Sequence, residues 1–526
     1  MTPAGLAART AILLLAAVGG AASQEHAHAP GAPGALGTVH FATSCAPAVA
    51  PQFDRAVALL HSFEFGASAR AFTDVLAADS TCAMAHWGLA LGRWSNPMAA
   101  GIRTPAQLRA GRAEADAAMR LAARATARER GYISAVARLY AGYDRMDQPA
   151  RVAAYERAMA ELVASEPADT EAKIFHAIAL VASAPPTDKT YRNQLVAGRI
   201  LEELWAAQPD HPGLAHYIIH AYDYPPLAHR ARAAAQRYAR IAPAAAHALH
   251  MPSHTFTRLG LWEESVAANL QSIEAARRDG SIAEVLHASD YVVYAYLQMR
   301  RTAEARAVLD GLPALAARFD VNAVTGAAPG SAGVFALAAI PARYALERRE
   351  WAQAAALAPA PSAFEWTEAM TYFARALGAS HTGDLASARA SVDSLSAIER
   401  RLRASGESYW AEQVAIQRLG ARAWLDRAEG RTEAALAEMR RAAERESATE
   451  KSAVTPGPLA PARELLGDLL MELGRPADAL VEYRATLVAE PNRYRALDGA
   501  RRAAAASGDR AAAAAYAAQL RRLTSS

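Results

Sequence analysis

The sequence predicts an all-α fold, a right-handed solenoid of about 10–12 helical hairpins stacked side by side. Three observations carry that prediction. From about Gln52 onward, apolar residues recur at helical spacing, short turns separate the runs, and strand alternation is nearly absent. Similar helix-turn-helix stretches return along the chain, the self-similarity that marks repeat architectures. The composition is that of a folded chain, with 52% hydrophobic and 21% charged residues among 526. A net charge of +3 gives no field that would gather nucleic acid or a membrane surface.

Residues 1–23, MTPAGLAARTAILLLAAVGGAAS, combine Arg9, an apolar run over 11–18 and small residues up to Ser23. This is the pattern of a secretory signal peptide cleaved near Ser23, which puts the mature protein in the periplasm or outside the cell. No later run reaches the roughly 18 apolar residues of a membrane span. Residues 24–50 read as a flexible N-terminal segment. Within it, HAHAPGAPGALG (26–37) is a Gly/Pro/Ala linker whose His26 and His28 suggest at most a weak metal-collecting tag. Cys45 and Cys82 are the two cysteines. In an oxidising compartment they predict one disulfide, with a pair of thiolate metal ligands as the alternative.

Residues 51–526 read as the continuous solenoid. Its most regular part lies at 365–524, where ARELLGDLLMELGRPADALVEYRATLVAEPN (462–492) is the clearest unit. Leu466, Gly467, Leu470, Gly474, Ala479, Tyr483 and Pro491 of this unit resemble the signature of a tetratricopeptide repeat (TPR). The same rhythm returns at 67–94, 257–280, 294–312, 372–395 and 420–446. The runs HPGLAHYIIHAYDYPP and HALHMPSHTFTRLGLW, with FATSCAP and TPGPLAPARELLGD, are further similar to a group of exported bacterial TPR proteins to which no activity attaches. Two stretches, 317–333 and 447–461, break the rhythm, and loops of that length in a solenoid are commonly lids or groove-side inserts.

Eight of the fifteen histidines fall between 211 and 287, in a His-rich region spanning 211–300. Counted back from Pro243 as the end of a unit, His216, His220 and Asp223 occupy repeat positions 5, 9 and 12. In the next unit His247, His250 and His254 occupy positions 2, 5 and 9; in the third, His287 and Asp290 occupy 2 and 5. Steps of three and four keep side chains on one helical face. The TPR resemblance implies which face, because those first-helix positions line the concave groove. Six imidazoles and two carboxylates aimed into one hollow form a donor set for Zn, Fe, Cu or Mn, as ligands or as partners that orient ligands. His211 and His229 fall off the groove positions and are left out of the set. Pro252 should kink the helix or start it afresh between His250 and His254.

Elsewhere, His61 and His86 read as packing residues, Arg343 and Glu347 as a surface ion pair, and Glu464 with Asp468 as an acidic patch. The chain lacks a nucleophile elbow, a phosphate-binding glycine loop and the HExxH and CxxC motifs. Catalysis, if any, then falls to the metal, either hydrolytic through a bound water or oxidative through Fe or Cu. A groove holding a peptide or protein partner without metal is the second reading, and periplasmic metal binding and delivery the third.

Overall fold

The computed structural model describes residues 35–525. The expected signal peptide, Ser23 at its cleavage point, and His26 and His28 lie outside the described residues. Twenty-five α-helices follow one another, with no strand among the described residues. They pair into twelve hairpins, from Ala50–His61 with Phe65–Ala78 to Tyr494–Ala506 with Arg510–Thr524. Local chemistry sets the helix ends. Thr104 with Gln107 and Thr126 with Glu129 form capping boxes, while Asp147, Asp169, Asp384 and Asp509 cap through their carboxylates. Small residues allow the two helices of a hairpin to touch; a Cβ on Gly467 would lie 2.8 Å from the Tyr483 ring.

The core runs along the stack in three consecutive apolar clusters, spanning Leu36 to Met251, Ala246 to Tyr344, and Phe335 to Ala504. No helix among the described residues is long and apolar enough to cross a membrane. Cys45 and Cys82 form the expected disulfide. Residues 35–50, expected to be flexible, are instead an ordered strap. Leu36, Val39 and Phe41 are buried, and the Phe41 ring packs within 5.6 Å of the rings of Phe53, Trp87 and Tyr132. The Gly/Pro-rich composition concealed three apolar side chains at alternating or near-alternating positions, enough to bind the strap to the first hairpins.

The array does not stay a simple stack, because it curls until distant hairpins meet. The Trp262 indole N–H donates to the Asn492 carbonyl (3.0 Å), and the Asn492 side chain donates to the Gly260 carbonyl (3.1 Å). Gly260 has φ +66°, and a Cβ there would come within 2.3 Å of the Pro491 carbonyl oxygen, so only glycine permits this approach. The two rhythm-breaking stretches lie inside the curl, as inserts on the groove side. They pack against the fifth and seventh hairpins, through Lys451 with Asp223, Ala328 with Glu284, and Ala453 and Thr455 with Tyr291.

Candidate metal centre

The first helices of the fifth, sixth and seventh hairpins are Pro212–Ala221, the broken helix Ala246–His250 with Pro252–Arg258, and Ile282–Gln298. Pro252 restarts the middle helix at its first turn, so the kink expected between His250 and His254 is present. All six predicted histidines are buried. They form two adjoining triads. One ring nitrogen each from His216, His220 and His247 lie within 4.8 Å of one another, and the same holds for His250, His254 and His287. The triads touch through His220–His254 (ring centroids 6.0 Å) and His247–His250 (5.7 Å).

Four of the rings are oriented through Nδ1. His216 donates to the His61 carbonyl (2.6 Å), and His247 faces Glu284 Oε1 (3.2 Å). His250 faces Asn269 Oδ1 (2.6 Å), and His254 donates to Asp223 Oδ2 (2.9 Å). A carboxylate or carbonyl oxygen only accepts, so the ring proton sits on Nδ1 and the lone pair is left on Nε2. Asn269 is itself fixed the same way round, since its amide donates to the Ser265 carbonyl (2.7 Å). The Nε2 atoms of His216, His220 and His247 are buried without a partner. His250 Nε2 and His254 Nε2 face each other at 3.0 Å. Two lone pairs at that distance in a buried site repel unless a cation lies between or beside them. Burial pushes the His216, His220, His250 and His287 imidazoles well below the ordinary histidine range, and neighbouring rings add to the effect. Burial thus favours the neutral form of these four rings, the form that binds metal.

The two aspartates part company. Asp223 lies behind His254, where it also accepts from Arg258 Nε (2.9 Å) and faces Lys451 Nζ at 3.4 Å. Burial opposes its ionisation, but Lys451 and Arg258 hold it well below the usual carboxylate range. Asp290 is not with the imidazoles. Both of its oxygens are taken by the Arg343 guanidinium (3.0 and 3.1 Å), and Arg343 in turn donates to the Gly457 and Pro458 carbonyls of the second insert. Asp290 thus anchors an insert rather than lining the centre. Arg343 and Glu347 are buried, not a surface pair, and each finds its partner on another element: Glu347 pairs with Arg493 at 2.6 Å. Glu464 and Asp468 form no acidic patch, because Arg493 and Arg495 neutralise them.

Sequence reasoning missed a third cluster. His61 Nε2 and His211 Nε2 both donate to Glu171 (2.9 Å each), and Tyr217 hydroxyl meets His61 Nδ1 at 3.1 Å. Burial raises the Glu171 carboxyl, but His61 and His211 overcome it and hold it well below the usual range. Here every Nε2 already has an anionic partner, and His211 Nδ1 alone is buried without one. His86 pairs with Glu114 (2.8 Å), in keeping with a packing role, and His229 is exposed. Also unforeseen were Glu284, Asn269 and Lys451. Lys451 carried a signal, since it is one of three lysines in an arginine-rich chain and falls within an insert. Glu64, which accepts from the His247 backbone N–H (3.3 Å), is pushed up to about 8 by burial and by Glu284 beside it.

The inserts close the centre from the groove side. Tyr291 hydroxyl reaches the Ala453 and Thr455 carbonyls (3.2 Å each), and the Ala328 N–H donates to Glu284 Oε2 (2.8 Å). Between them, bordered by His220, His247, His254 and His287, is a cavity of ≈ 20 Å³, about the room of one water.

No protein-family model matches the chain, and no curated protein matches it. Among solved structures, the human IFIT1 dimer with m7Gppp-AAAA aligns over 84% of this chain and 90% of its own, at 11% identity and TM-score 0.37. The yeast Tom70 crystal structure aligns over 87% and 88%, at 10% identity and TM-score 0.30. Both are TPR-containing helical proteins.

Proposed function

We propose that the protein holds two transition-metal ions, one per histidine triad, and that this enclosed centre is its working part. The observation that carries the reading is the 3.0 Å approach of His250 Nε2 to His254 Nε2, each with its proton drawn to the far side of the ring by Asn269 and Asp223. Orientation of ligating imidazoles by a carboxylate or amide behind them is what metal sites use to aim their donors. The all-nitrogen donor set suits copper and zinc better than magnesium, calcium or manganese. Export supports the assignment: the disulfide and the signal-like N-terminus both fit an oxidising compartment, where the protein would meet its metal. A peptide in the groove at this level would have to displace residues 325–329 and 451–458, which favours the metal centre over an open binding scaffold.

Elemental analysis of protein reconstituted with copper or zinc tests the reading. Two ions per chain are expected, with one lost in His247→Ala and one in His250→Ala, while Glu171→Gln keeps both. A parent chain that takes up no ion at micromolar metal would overturn it.

A further inference from the structure

We infer that the two ions are copper and that the centre takes up dioxygen through an apolar cavity behind Phe63. The inference rests on the two-metal reading above and adds the metal and the small molecule.

Phe63 is the pivot. Its ring packs on His216 (4.4 Å between centroids), His220 (5.7 Å) and His247 (5.8 Å), forming one wall of the first triad. The same residue lines a separate cavity of ≈ 50 Å³, two to three times the space on the insert side. Leu60, Phe65, Trp94, Phe175 and Ile178 supply much of its surface, with almost no polar atom exposed to it. Phe63 also stands at φ 57°, in the turn that ends helix Ala50–His61. The corresponding turns at Gly383, Gly430 and Gly474 use glycine, which adopts this conformation without strain. A phenylalanine there costs backbone energy, as do Arg300 and Arg349 in the turns after helices Ile282–Gln298 and Gly330–Arg348. The ring separates metal ligands from a hydrocarbon-lined space.

What occupies that space follows from its chemistry. A nonpolar cavity accepts small apolar molecules in preference to water. It offers almost no hydrogen bond to water. Dioxygen is small, apolar and reactive toward reduced metal. The donor set then selects the metal. Imidazoles ligate both oxidation states of copper, and copper(II) stands at the top of the affinity order for nitrogen sites. Zinc has no redox chemistry, and non-haem iron that handles oxygen takes a carboxylate, whereas Asp223, Glu284 and Asp290 are all engaged elsewhere.

The step balances without another reactant. Two copper(I) ions each give one electron to dioxygen, forming two copper(II) ions and a peroxide dianion between them; release is the reverse. No proton moves, and the total charge of the centre is +2 before and after. In a site this deeply buried a change of net charge would be costly, so a charge-conserving reaction is the one it permits.

The experiment loads the full chain with copper(I) under argon, counts the ions, and then admits air. One dioxygen per two coppers is expected, with a new near-ultraviolet absorption that fades on evacuation; zinc-loaded protein gives none. Ala179→Phe and Leu91→Trp, both filling the cavity, should keep two coppers and slow uptake tenfold or more. Xenon-pressurised crystals of the parent should show an atom in the cavity. Two bound coppers with no dioxygen uptake overturn the inference while leaving the two-metal reading intact. Uptake at the parent's rate in the folded variant, or an empty cavity under xenon, overturns the route. A parent that holds two zinc ions but not two coppers overturns the copper assignment, and one that holds two ions of neither metal overturns the two-metal reading itself.

Discussion

Asp223 and Asp290 each follow a groove histidine by three residues, so local sequence treats them alike. The fold does not. Asp223 is turned onto His254, 31 residues on, and meets Lys451 from an insert 228 residues on. Asp290 is claimed by Arg343, 53 residues on. Helix periodicity told which face each residue shares; it could not tell which cation would arrive from another hairpin. The six imidazoles were legible because their neighbours are one another, within three consecutive hairpins. The residues that orient them were not: Glu284 shares a face with His287 three residues on, but its partner His247 lies on another hairpin, and Asn269 and the His61 carbonyl sit at positions with no periodic signal. The consequence at this scale is testable in Asp223→Asn. The amide oxygen can still accept from His254, but the charge that fixes the ring against Lys451 and Arg258 is gone. Metal affinity, read by competition with a chromogenic chelator, should fall 10–100-fold while saturation still reaches two ions. Unchanged affinity would mean Asp223 serves packing alone.

Helices and their turns were the most readable level. Capping residues, turn glycines and the 3.6-residue period all act within a few positions of the residues they shape, and the break at Pro252 follows from its missing N–H. The inserts were recognised as interruptions, but their seat over the centre depends on Arg343 and Tyr291 gripping their carbonyls. Another element-level feature emerged only in three dimensions. His381, at the end of helix Glu365–Thr382, is stacked on Trp351 (4.0 Å) and meets Trp424 at a tilt (4.4 Å), both from neighbouring helices. Burial there pulls its imidazole down to about 4. Above pH 6.5 the ring is neutral folded or unfolded and costs nothing. As pH falls from 6.5 toward 4, the unfolded chain gains a proton that the folded chain refuses, so stability drops across that window. The loss attributable to His381 is at most about 3 kcal/mol, less whatever solvent reaches the ring. His381→Phe keeps the stack and removes the proton site, so urea midpoints at pH 7 and pH 4.5 should lie closer together than in the parent. An equal gap in both proteins would acquit His381.

A repeat array ordinarily couples each unit to its neighbours alone, and its stability is a sum along one dimension. This chain departs from that rule because it curls on itself. Besides the contact of Trp262 and Gly260 with Asn492, Glu450 receives Tyr191 hydroxyl (2.7 Å) and Lys189, and Glu407 receives the Ile102 N–H (3.1 Å). Curl is the least readable property from sequence, since it sums small rotations over twelve hairpins. Arg493 is a central tie. Its buried guanidinium bridges Glu464 (2.6 Å) and Glu347 (2.6 Å) and donates to Tyr294 hydroxyl (3.2 Å), joining the seventh, eighth and eleventh hairpins to its own. Tyr294 lies on the helix that carries His287, and its own hydroxyl donates to Glu490 (2.8 Å), so this tie holds one wall of the metal centre. Removing one partner of a buried ion pair strands the others, at a cost of about 3–5 kcal/mol. Arg493→Ala should therefore do more than lower the urea midpoint. With Glu347 left unpaired and Glu464 left to Arg495 alone, the C-terminal hairpins should unfold ahead of the rest. A single transition in the parent, followed by circular dichroism, should become two in the variant. A variant that still unfolds in one step, with its midpoint merely shifted, would show that the hairpins are coupled through their shared apolar core and that the ring of buried charge is not what makes the molecule one unit.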